Sequence, residues 1–414
     1  MKWHILIVNV ASHGLVYPTL PVVSELVRRG HRVTYATAGG FAEPVAAAGA
    51  TPLRYRSEIL HADPEEVFGD DDGGARPHLM YLRENLSVLR AVTGHFAGEP
   101  PDLVLYDDFP FIAGRLLAAR WRRPAGRLSA AFASNEHYSF SDDMVRLSGT
   151  VHPLDLPRFR EALAGALATY GVTASPEEFW RRVADFTVAF IPRAFQIAAE
   201  TFDDRFAFVG PCLGERGFLG RWSPPDTGVP VVLVSLGATF NGHPEFFREC
   251  VRAFAGEPWH AVLTLGDRVD PAELGVLPAN VEVHRWVPHV SVLRHASVCV
   301  THGGMGTVME SLYWGRPMVV VPRSFDVEPM ARRVGELGLG VLLRPDEVDA
   351  SKLREVVATV AADREMSRRV RAMRDEVRSA GGPGRAADEI EVYLSRVRKE
   401  AAWRTDEAIV EMRS

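Results

Sequence analysis

Short apolar runs alternate with segments of helical spacing along the first part of the chain. Apolar runs of this length fit buried strands, and apolar residues that recur every three to four positions fit one face of a helix. The pattern predicts strands at 4–10, 32–37 and 103–106, and helices at 16–29, 41–48, 78–96 and 111–121. Strands that alternate with such helices pair in parallel through right-handed crossovers. The sequence therefore predicts a doubly wound α/β domain.

The same alternation restarts after a segment rich in glycine and proline at 210–230. It predicts strands at 231–236, 259–265, 281–285, 298–301, 317–322 and 339–343, and helices at 244–254, 305–314, 328–337, 350–361, 363–379 and 384–399. Residues 135–193 are rich in aromatic side chains and are interpreted as mostly helical. We expect two domains at 1–212 and 231–383, a linker at 213–230, and a C-terminal helix with its tail at 384–414.

Composition and one missing motif narrow the functional classes. The 414 residues are 47% hydrophobic and 24% charged, which favours a globular protein that acts on small molecules. A net charge of −6 argues against a nucleic-acid groove or a basic membrane patch. The turn after the first strand lacks the Gly-x-Gly-x-x-Gly motif of dinucleotide dehydrogenases. The first strand starts at once and no 18-residue apolar run follows it, so we expect a cytoplasmic protein without a signal peptide or membrane span.

A glycine-rich turn follows the predicted strand at 298–301. The segment 302–310 reads His-Gly-Gly-Met-Gly-Thr-Val-Met-Glu and opens a helix. The free N–H groups and the positive end of the dipole at such a helix start favour a bound phosphate. His302 adds a donor, and Thr307 and Glu310 lie on one helix face, where they suit a phosphate and a sugar diol. A tight turn with close helix packing is the alternative interpretation of Gly303, Gly304 and Gly306.

A histidine and an aspartate follow two strands of the first domain. His13 comes after the first strand, and Asp107 comes after the strand at 103–106. Since ligands bind beyond the carboxyl ends of parallel strands, the two side chains are expected near one another. A carboxylate bonded to one imidazole nitrogen supports the charge that forms when the other nitrogen accepts a proton, so the pair predicts a general base. The alternative is a turn residue at His13 and a helix N-cap at Asp107.

Other strand ends of the second domain offer groups for the rest of a nucleotide. Trp286 and Val287 follow a strand, and the indole suits stacking on a nucleobase, although packing is the alternative role for a Trp there. Small residues that can approach a diphosphate end the domain's first strand, namely Ser235, Gly237 and Thr239. Asp326 follows another strand and is either a helix N-cap or a ligand of sugar hydroxyls. These strand ends converge on one crevice.

Taken together, these residues resemble the donor-binding signature of family 1 glycosyltransferases of the GT-B fold. The resemblance rests on Trp286-Val287-Pro288, on His302-Gly303-Gly304 with Thr307 and Glu310, and on Asp326. His13-Gly14 with Pro18, and Asp107, resemble that family's catalytic base and its carboxylate partner. Residues 4–398 are most similar to the bacterial antibiotic branch, which includes macrolide glycosyltransferases. Segments 136–139 and 324–327 are similar to enediyne enzymes of the calicheamicin type.

The resemblance implies two Rossmann-like doubly wound parallel-sheet domains that face a central cleft, with the C-terminal helix crossing back to the first domain. It implies inverting transfer from a nucleoside-diphosphate sugar, with His13 as the base and Asp107 orienting it. It assigns the diphosphate to His302, Gly304 and Thr307, the ribose to Glu310, the nucleobase to Trp286 and the transferred sugar to Asp326. No metal or prosthetic group is expected, because preset donors stabilise the departing diphosphate. The acidic run at 70–72 is interpreted as a solvated loop.

Two departures from the family pattern bear on the substrates. Val327 stands where many relatives have Gln, which favours a deoxy or modified sugar carried on dTDP over a UDP-sugar. His289 also replaces a common Gln, so the choice between dTDP and UDP stays open. A hydrophobic acceptor is expected over the first domain, against Tyr17, Phe109, Phe132, His137 and Tyr138.

The leading hypothesis is transfer of a deoxysugar from dTDP to a hydroxyl of a hydrophobic aglycone in antibiotic biosynthesis. One alternative is a UDP-glucose-dependent enzyme that inactivates macrolides. Two others belong to different classes: a nucleotide-sugar epimerase with the same architecture, and a non-catalytic partner protein that binds nucleotide sugar. The expected partners are small molecules, and the chain is expected to be a monomer or a homodimer.

Overall fold

The computed structural model describes residues 1–60, 62, 75–109, 111–149, 151–214, 221–226, 228–239 and 241–411. Two separate parallel sheets organise this part of the chain. The acidic run at 70–72 lies outside the described residues, as do residues 215–220 and 227 of the predicted linker.

The first sheet is built from residues 4–208. Its described strands are β1 His4–Val8, β2 Arg32–Thr37, β3 Thr51–Arg54, β4 Leu103–Asp107, β5 Ala125–Ser129, β6 Thr187–Ala189 and β7 Phe206–Phe208. They pair in parallel in the order β3-β2-β1-β4-β5-β6-β7. The α-helices among its described residues are α1 His13–Arg28, α2 Ala42–Ala47, α3 Ala75–His95, α4 Phe111–Trp121, α5 Phe140–Ser148, α6 Pro157–Thr169 and α7 Pro176–Arg181.

The second sheet is built from residues 231–342. Its described strands are β8 Val231–Ser235, β9 His260–Thr264, β10 Val281–His284, β11 Ala296–Thr301, β12 Met318–Val320 and β13 Gly340–Leu342. They pair in parallel in the order β10-β9-β8-β11-β12-β13. The helices that follow are α8 Pro244–Phe254, α9 His289–Leu293, α10 Met305–Tyr313, α11 Glu328–Glu336, α12 Ala350–Ala362, α13 Arg364–Ser379 and α14 Gly382–Glu411.

Strand register brings the carboxyl ends of neighbouring strands level. In the first sheet, Val8 of β1 lies opposite Tyr106 of β4. In the second sheet, Ser235 of β8 lies between Thr264 of β9 and Thr301 of β11. Because the central strands are buried on both faces, their apolar runs are nearly continuous, and the polar residues that follow them collect at one edge of each sheet.

The predicted fold class is confirmed, with corrections in local structure. The segment 135–193 contains the helices α5, α6 and α7, as predicted, and also the short strand β6, which was not predicted; β7, also not predicted, follows it. Strands of three residues are too short to show an apolar pattern. Strands β3 and β5 were also missed, since one contains Pro52 and the other contains Gly126 and Arg127. Helix α1 begins at His13, three residues before the predicted start, and accommodates Pro18 in its interior.

The C-terminal helix α14 packs on the first domain. Ala386 and Ile390 are buried in the core that contains β1 and β4. The Tyr393 ring stacks on Phe186 with centroids 4.6 Å apart, and its hydroxyl donates a hydrogen bond to the Ala125 carbonyl at 3.1 Å. In the part of the chain that the structure describes, no helix is both long and apolar enough to span a membrane.

Candidate active site

The carboxyl edges of the two sheets face each other across a cleft. Helices α1 and α10 contact one another there. A cavity of about 30 Å³ lies between the domains, with Pro18, Ala130 and Phe190 on one side and Gly306 and Glu310 on the other. The predicted base and the predicted phosphate turn therefore lie at the same interdomain cleft.

His13 is the first residue of α1 and is surrounded by aromatic rings. Its ring centroid lies 4.9 Å from that of Phe41 and 5.1 Å from that of Tyr17, both in edge-to-face geometry. On another side it stacks on Trp286 of the second domain, with centroids 5.1 Å apart and planes inclined by 22°. The imidazole thus lies in an aromatic enclosure that both domains supply.

A buried polar network supports the turn that carries His13. The Asn9 side-chain amide donates to the Leu15 carbonyl at 2.9 Å and to the Tyr35 hydroxyl at 3.0 Å. Thr19 lies 2.7 Å from the same hydroxyl. These side chains join β1, β2 and α1 directly beneath the turn. Sequence reasoning missed this network; the available signal was an Asn placed directly after a buried strand, where it must find partners.

Asp107 ends β4 and is fully enclosed. One carboxylate oxygen, Oδ1, accepts a weak hydrogen bond from the Phe109 N–H at 3.5 Å, and the other, Oδ2, is buried without a hydrogen-bond partner among the described residues. Burial raises the pKa of this carboxyl well above its ordinary value, and the adjacent Asp108 raises it further. Both members of the predicted pair lie at the cleft edge, but Oδ2 does not bond to His13 here. The His13–Asp107 interaction stays a prediction.

Asp108, next to Asp107, forms its own ion pair and hydrogen bond. Its Oδ1 lies 3.1 Å from Nη1 of Arg127, and its Oδ2 accepts a hydrogen bond from the Ser129 hydroxyl at 2.6 Å. These groups hold the end of β4 against β5. Asp108 was not predicted as a site residue, although two consecutive carboxylates at the end of a buried strand were the available signal.

Asp107→Asn is expected to raise the melting temperature at pH 8. Because the carboxyl's pKa is raised on folding, the native state binds the proton more tightly than the unfolded state, and stability is lost as pH rises through the folded pKa. The neutral amide removes a buried charge without a bonded partner at Oδ2, a gain on the order of 1 kcal/mol. Thermal unfolding at pH 8 and pH 5 measures this, and the gain should shrink at the lower pH. A lower melting temperature for Asp107→Asn at pH 8 would contradict the account.

The His302 ring lies between Gly304 of the predicted phosphate turn and Gly237 of the loop after β8. A Cβ atom at Gly237 would come within 2.4 Å of His302 Cε1, and one at Gly304 within 2.6 Å of His302 Nε2. The imidazole Nδ1 is buried without a hydrogen-bond partner among the described residues. Burial lowers the pKa of His302 to about 4, with a further contribution from His289. At neutral pH, His302 therefore meets a ligand as an uncharged imidazole that can donate one N–H.

The start of α10 leaves backbone donors available. Gly304 is its N-cap and provides no side-chain capping bond. Thr307 and Glu310 both lie on a buried part of the helix, with 8% and 2% of their surface exposed, and Glu310 Oε2 is 3.8 Å from His289 Nδ1. Within the described ranges, no three His, Cys, Asp or Glu side chains are grouped as in a metal site.

The loop after β8 is shaped by Gly237 and by an asparagine that the sequence analysis missed. Gly237 has φ +78°, in the left-handed region, and its N–H donates to the Ser235 hydroxyl at 3.2 Å. The Asn241 side-chain amide donates to the Gly237 carbonyl at 2.9 Å, while its Oδ1 is buried without a partner. Ser235 is buried and Thr239 is exposed. Of the three predicted residues, Ser235 and Gly237 thus form the wall beside His302.

The loop after β10 places Trp286 in the cleft and Val287 in the core. The Trp286 indole N–H donates to Asp267 Oδ1 at 2.9 Å, and Val287 is 5% exposed. The predicted partner of Trp286 was a nucleobase. In this structure one of its contacts is the His13 ring.

Asp326 lies close enough to the first domain to influence one of its side chains. Its Oδ1 is buried without a hydrogen-bond partner among the described residues, and burial raises its pKa. Tyr81 of α3 is close enough that the carboxylate contributes, after burial, to a raised pKa of the phenol. The Tyr81 ring packs on Phe109 with centroids 5.1 Å apart. Tyr81, which was not predicted as a site residue, thus links two residues that were, Asp326 and Phe109.

The five predicted acceptor residues have different surroundings. Tyr17 and Phe109 are half-buried at the cleft. Phe132 is fully buried and stacks on Phe195 with centroids 5.7 Å apart, so it packs the core and has no surface for an acceptor. His137 is exposed. The Tyr138 hydroxyl donates to Asp143 Oδ2 at 3.4 Å.

Comparison with known proteins places the chain in a family. Residues 257–392 match the family described as "Erythromycin biosynthesis protein CIII-like, C-terminal domain". The oleandomycin glycosyltransferase of Streptomyces antibioticus is 40% identical over 399 residues, covering 94% of this chain and 91% of its own length. The demethyllactenocin mycarosyltransferase of Streptomyces fradiae is 38% identical over 402 residues, covering 95% of this chain and 87% of its own. The chain belongs to the antibiotic glycosyltransferases.

The structure of one such glycosyltransferase agrees with this assignment. The calicheamicin glycosyltransferase CalG4 superposes with a TM-score of 0.88 at 50% identity, covering 96% of this chain and 99% of its own. The predicted GT-B fold, the family 1 resemblance and the enzymatic class are therefore confirmed. The similarity extends over nearly the whole length of the present chain and includes both sheets.

Proposed function

We propose that this glycosyltransferase moves a deoxysugar, with inversion at the anomeric carbon, from dTDP to a hydroxyl of a hydrophobic natural product. The observation that supports it most is the uncapped start of α10, with the neutral His302 beside it, facing the aromatic enclosure of His13 across the cleft. The second domain offers hydrogen-bond donors for the departing diphosphate, and the first domain offers a proton acceptor, His13. Inverting sugar transfer needs these two groups on opposite sides of the anomeric carbon.

The leaving group is the diphosphate. As the acceptor oxygen forms its bond to the anomeric carbon, the bond between that carbon and the diphosphate oxygen breaks, and the electron pair stays on the diphosphate. The N–H groups at the start of α10 and the dipole of that helix favour this charge. His302 adds one donor without changing its own charge at neutral pH. Thr307 and the Ser235–Gly237 turn complete the proposed diphosphate contacts, with the ribose hydroxyls on Glu310.

The acceptor's proton goes to His13. An imidazole with an ordinary pKa of about 6.5 can accept a proton at neutral pH. Asp107 supports the resulting imidazolium if its Oδ2, which has no partner here, turns to the ring once substrates are bound. The Asn9 and Tyr35 network holds the turn that carries His13.

The transferred sugar is proposed to lie between Asp326 and Tyr81. Val327 is 3% exposed and offers no hydrogen-bonding group for a sugar hydroxyl. A site that leaves a glucose hydroxyl unpaired discriminates against glucose, which favours a sugar that lacks it. The acceptor is proposed to contact Tyr17 and Phe109, which line the first domain's side of the cleft.

Thermal shift measurements with nucleotides test the donor. A nucleotide that binds the folded state raises the melting temperature by linkage, and we expect a larger shift with dTDP than with an equal concentration of UDP. Val327→Gln is expected to improve turnover of a glucose donor relative to a deoxysugar donor, while leaving the nucleotide shifts unchanged. A clear UDP preference would instead support the rival function, UDP-glucose-dependent macrolide inactivation.

Two further alternative functions, epimerase and non-catalytic binding protein, differ from transfer in whether an acceptor is needed for turnover. An epimerase converts the nucleotide sugar with no acceptor present, and a non-catalytic partner protein binds it without turnover. The names of the relatives, among them an "NDP-glycosyltransferase" of Bacillus licheniformis at 38% identity over 397 residues, support transfer. Acceptor-dependent release of the nucleoside diphosphate separates the three.

A further inference from the structure

Trp286 belongs to the second domain but contacts the proposed base of the first. Its ring is stacked on His13 with centroids 5.1 Å apart and planes inclined by 22°. The indole N–H is bonded to Asp267 Oδ1 at 2.9 Å, which fixes the orientation of the ring. The stack therefore joins the two domains at the point where the proton is proposed to move.

Residues of the first domain contact the His13 imidazole on its other sides. Tyr17 and Phe41 present edge-to-face contacts at 5.1 and 4.9 Å. Two edge contacts and one face contact restrict both the position and the tilt of the imidazole ring. Removing the face contact takes away one of these restraints, and a displacement of about 1 Å can cost on the order of 10²-fold in rate.

We propose that Trp286 is a positioning residue for His13, so that the base is fully oriented only when the second domain is closed onto the first. The inference rests on the proposed function, because it takes His13 as the base. It adds a role to the predicted nucleobase contact, since an indole has two faces and one of them holds the imidazole. Domain closure would then assemble the catalytic group as well as enclose the donor.

The test is kcat at saturating donor and acceptor for Trp286→Leu and Trp286→Phe, in the parent enzyme and in a His13→Ala background. We expect Trp286→Leu to lower kcat on the order of tenfold in the parent enzyme. Trp286→Phe keeps a ring on the imidazole and should stay within about threefold. Once His13 is absent, Trp286→Leu should cost less than about twofold, because residues that act through one another are not additive.

The outcomes separate this inference from the proposed function. Equal losses from Trp286→Leu in both backgrounds, or a rise in donor KM with unchanged kcat, would overturn the positioning role. An unchanged kcat in His13→Ala would instead overturn the base assignment. Trp259→Leu removes an indole of the same domain away from the cleft and controls for general destabilisation. If Trp286→Leu does not fold, Asp267→Ala frees the indole instead, and it must lower kcat only when His13 is present.

Discussion

His13→Ala and Asp107→Asn are each expected to lower kcat on the order of 10²-fold or more, the usual contribution of general base catalysis. His13 takes the acceptor proton in the proposed mechanism, and Asp107 stabilises the positive imidazole that results. Initial rates of acceptor-dependent nucleoside diphosphate release measure the effect. Because the two groups act on one proton, the double variant should be little worse than either single variant.

One outcome would show that Asp107, and not His13, is the base. Asp107 Oδ2 is buried without a partner, and burial raises the pKa of this carboxyl. If His13→Ala keeps full kcat while Asp107→Asn loses it, Asp107 accepts the proton directly and the His13 assignment is wrong. Trp259→Leu, which removes an indole away from the cleft, serves as the control, with kcat expected within about threefold of the parent enzyme.

Gly237→Ala is expected to lower kcat/KM on the order of 10²-fold, the scale of losing one preset donor to a developing anion. The added Cβ would lie 2.4 Å from His302 Cε1 and 2.7 Å from Nε2, so the imidazole has to move from its place beside the proposed diphosphate site. We expect the loss in both kcat and donor KM, because His302 is proposed to contact the diphosphate before and during its departure. Steady-state kinetics with varied donor measures it.

Gly275→Ala is a matched control for that variant. Gly275 has φ +76° and ψ −149°, so alanine is strained there as it is at Gly237 with φ +78°, yet nothing lies within 4 Å of its Cβ position. Each variant should lose roughly 1–3 kcal/mol of stability, as for a non-glycine residue at positive φ. Only Gly237→Ala should lose donor binding. Equal activity of the two variants would show that His302 is not part of the donor site.

The sequence predicted the fold and the placement of the site because both follow from simple patterns. Apolar runs separated by helices dictate two parallel sheets, and polar residues directly after those runs must collect at the strand ends. His13, Asp107, His302 and Asp326 were found in this way, and the structure puts them all at the interdomain cleft or its edges.

Contacts that depend on packing across the chain were not predictable. Phe132 lies in an aromatic segment that resembles a binding surface, but its neighbour Phe195 is more than 60 positions away, and only the folded chain shows that the two rings stack. The stack of Trp286 on His13 likewise joins residues from different domains. The spacing of residues along the sequence does not indicate contacts between such distant rings. The roles of Asn9 and Asn241 had a weak local signal, since each follows a buried strand.

The most direct test of the central claim is the reaction of the purified enzyme with a dTDP-deoxysugar, with and without a hydrophobic aglycone that bears a hydroxyl. NMR of the product gives its anomeric configuration, and dTDP release is followed at the same time. We predict that dTDP is released only when the aglycone is present, and that the glycoside has the opposite anomeric configuration to the donor. Conversion of the nucleotide sugar without an aglycone, or a glycoside that retains the donor's configuration, would contradict the account.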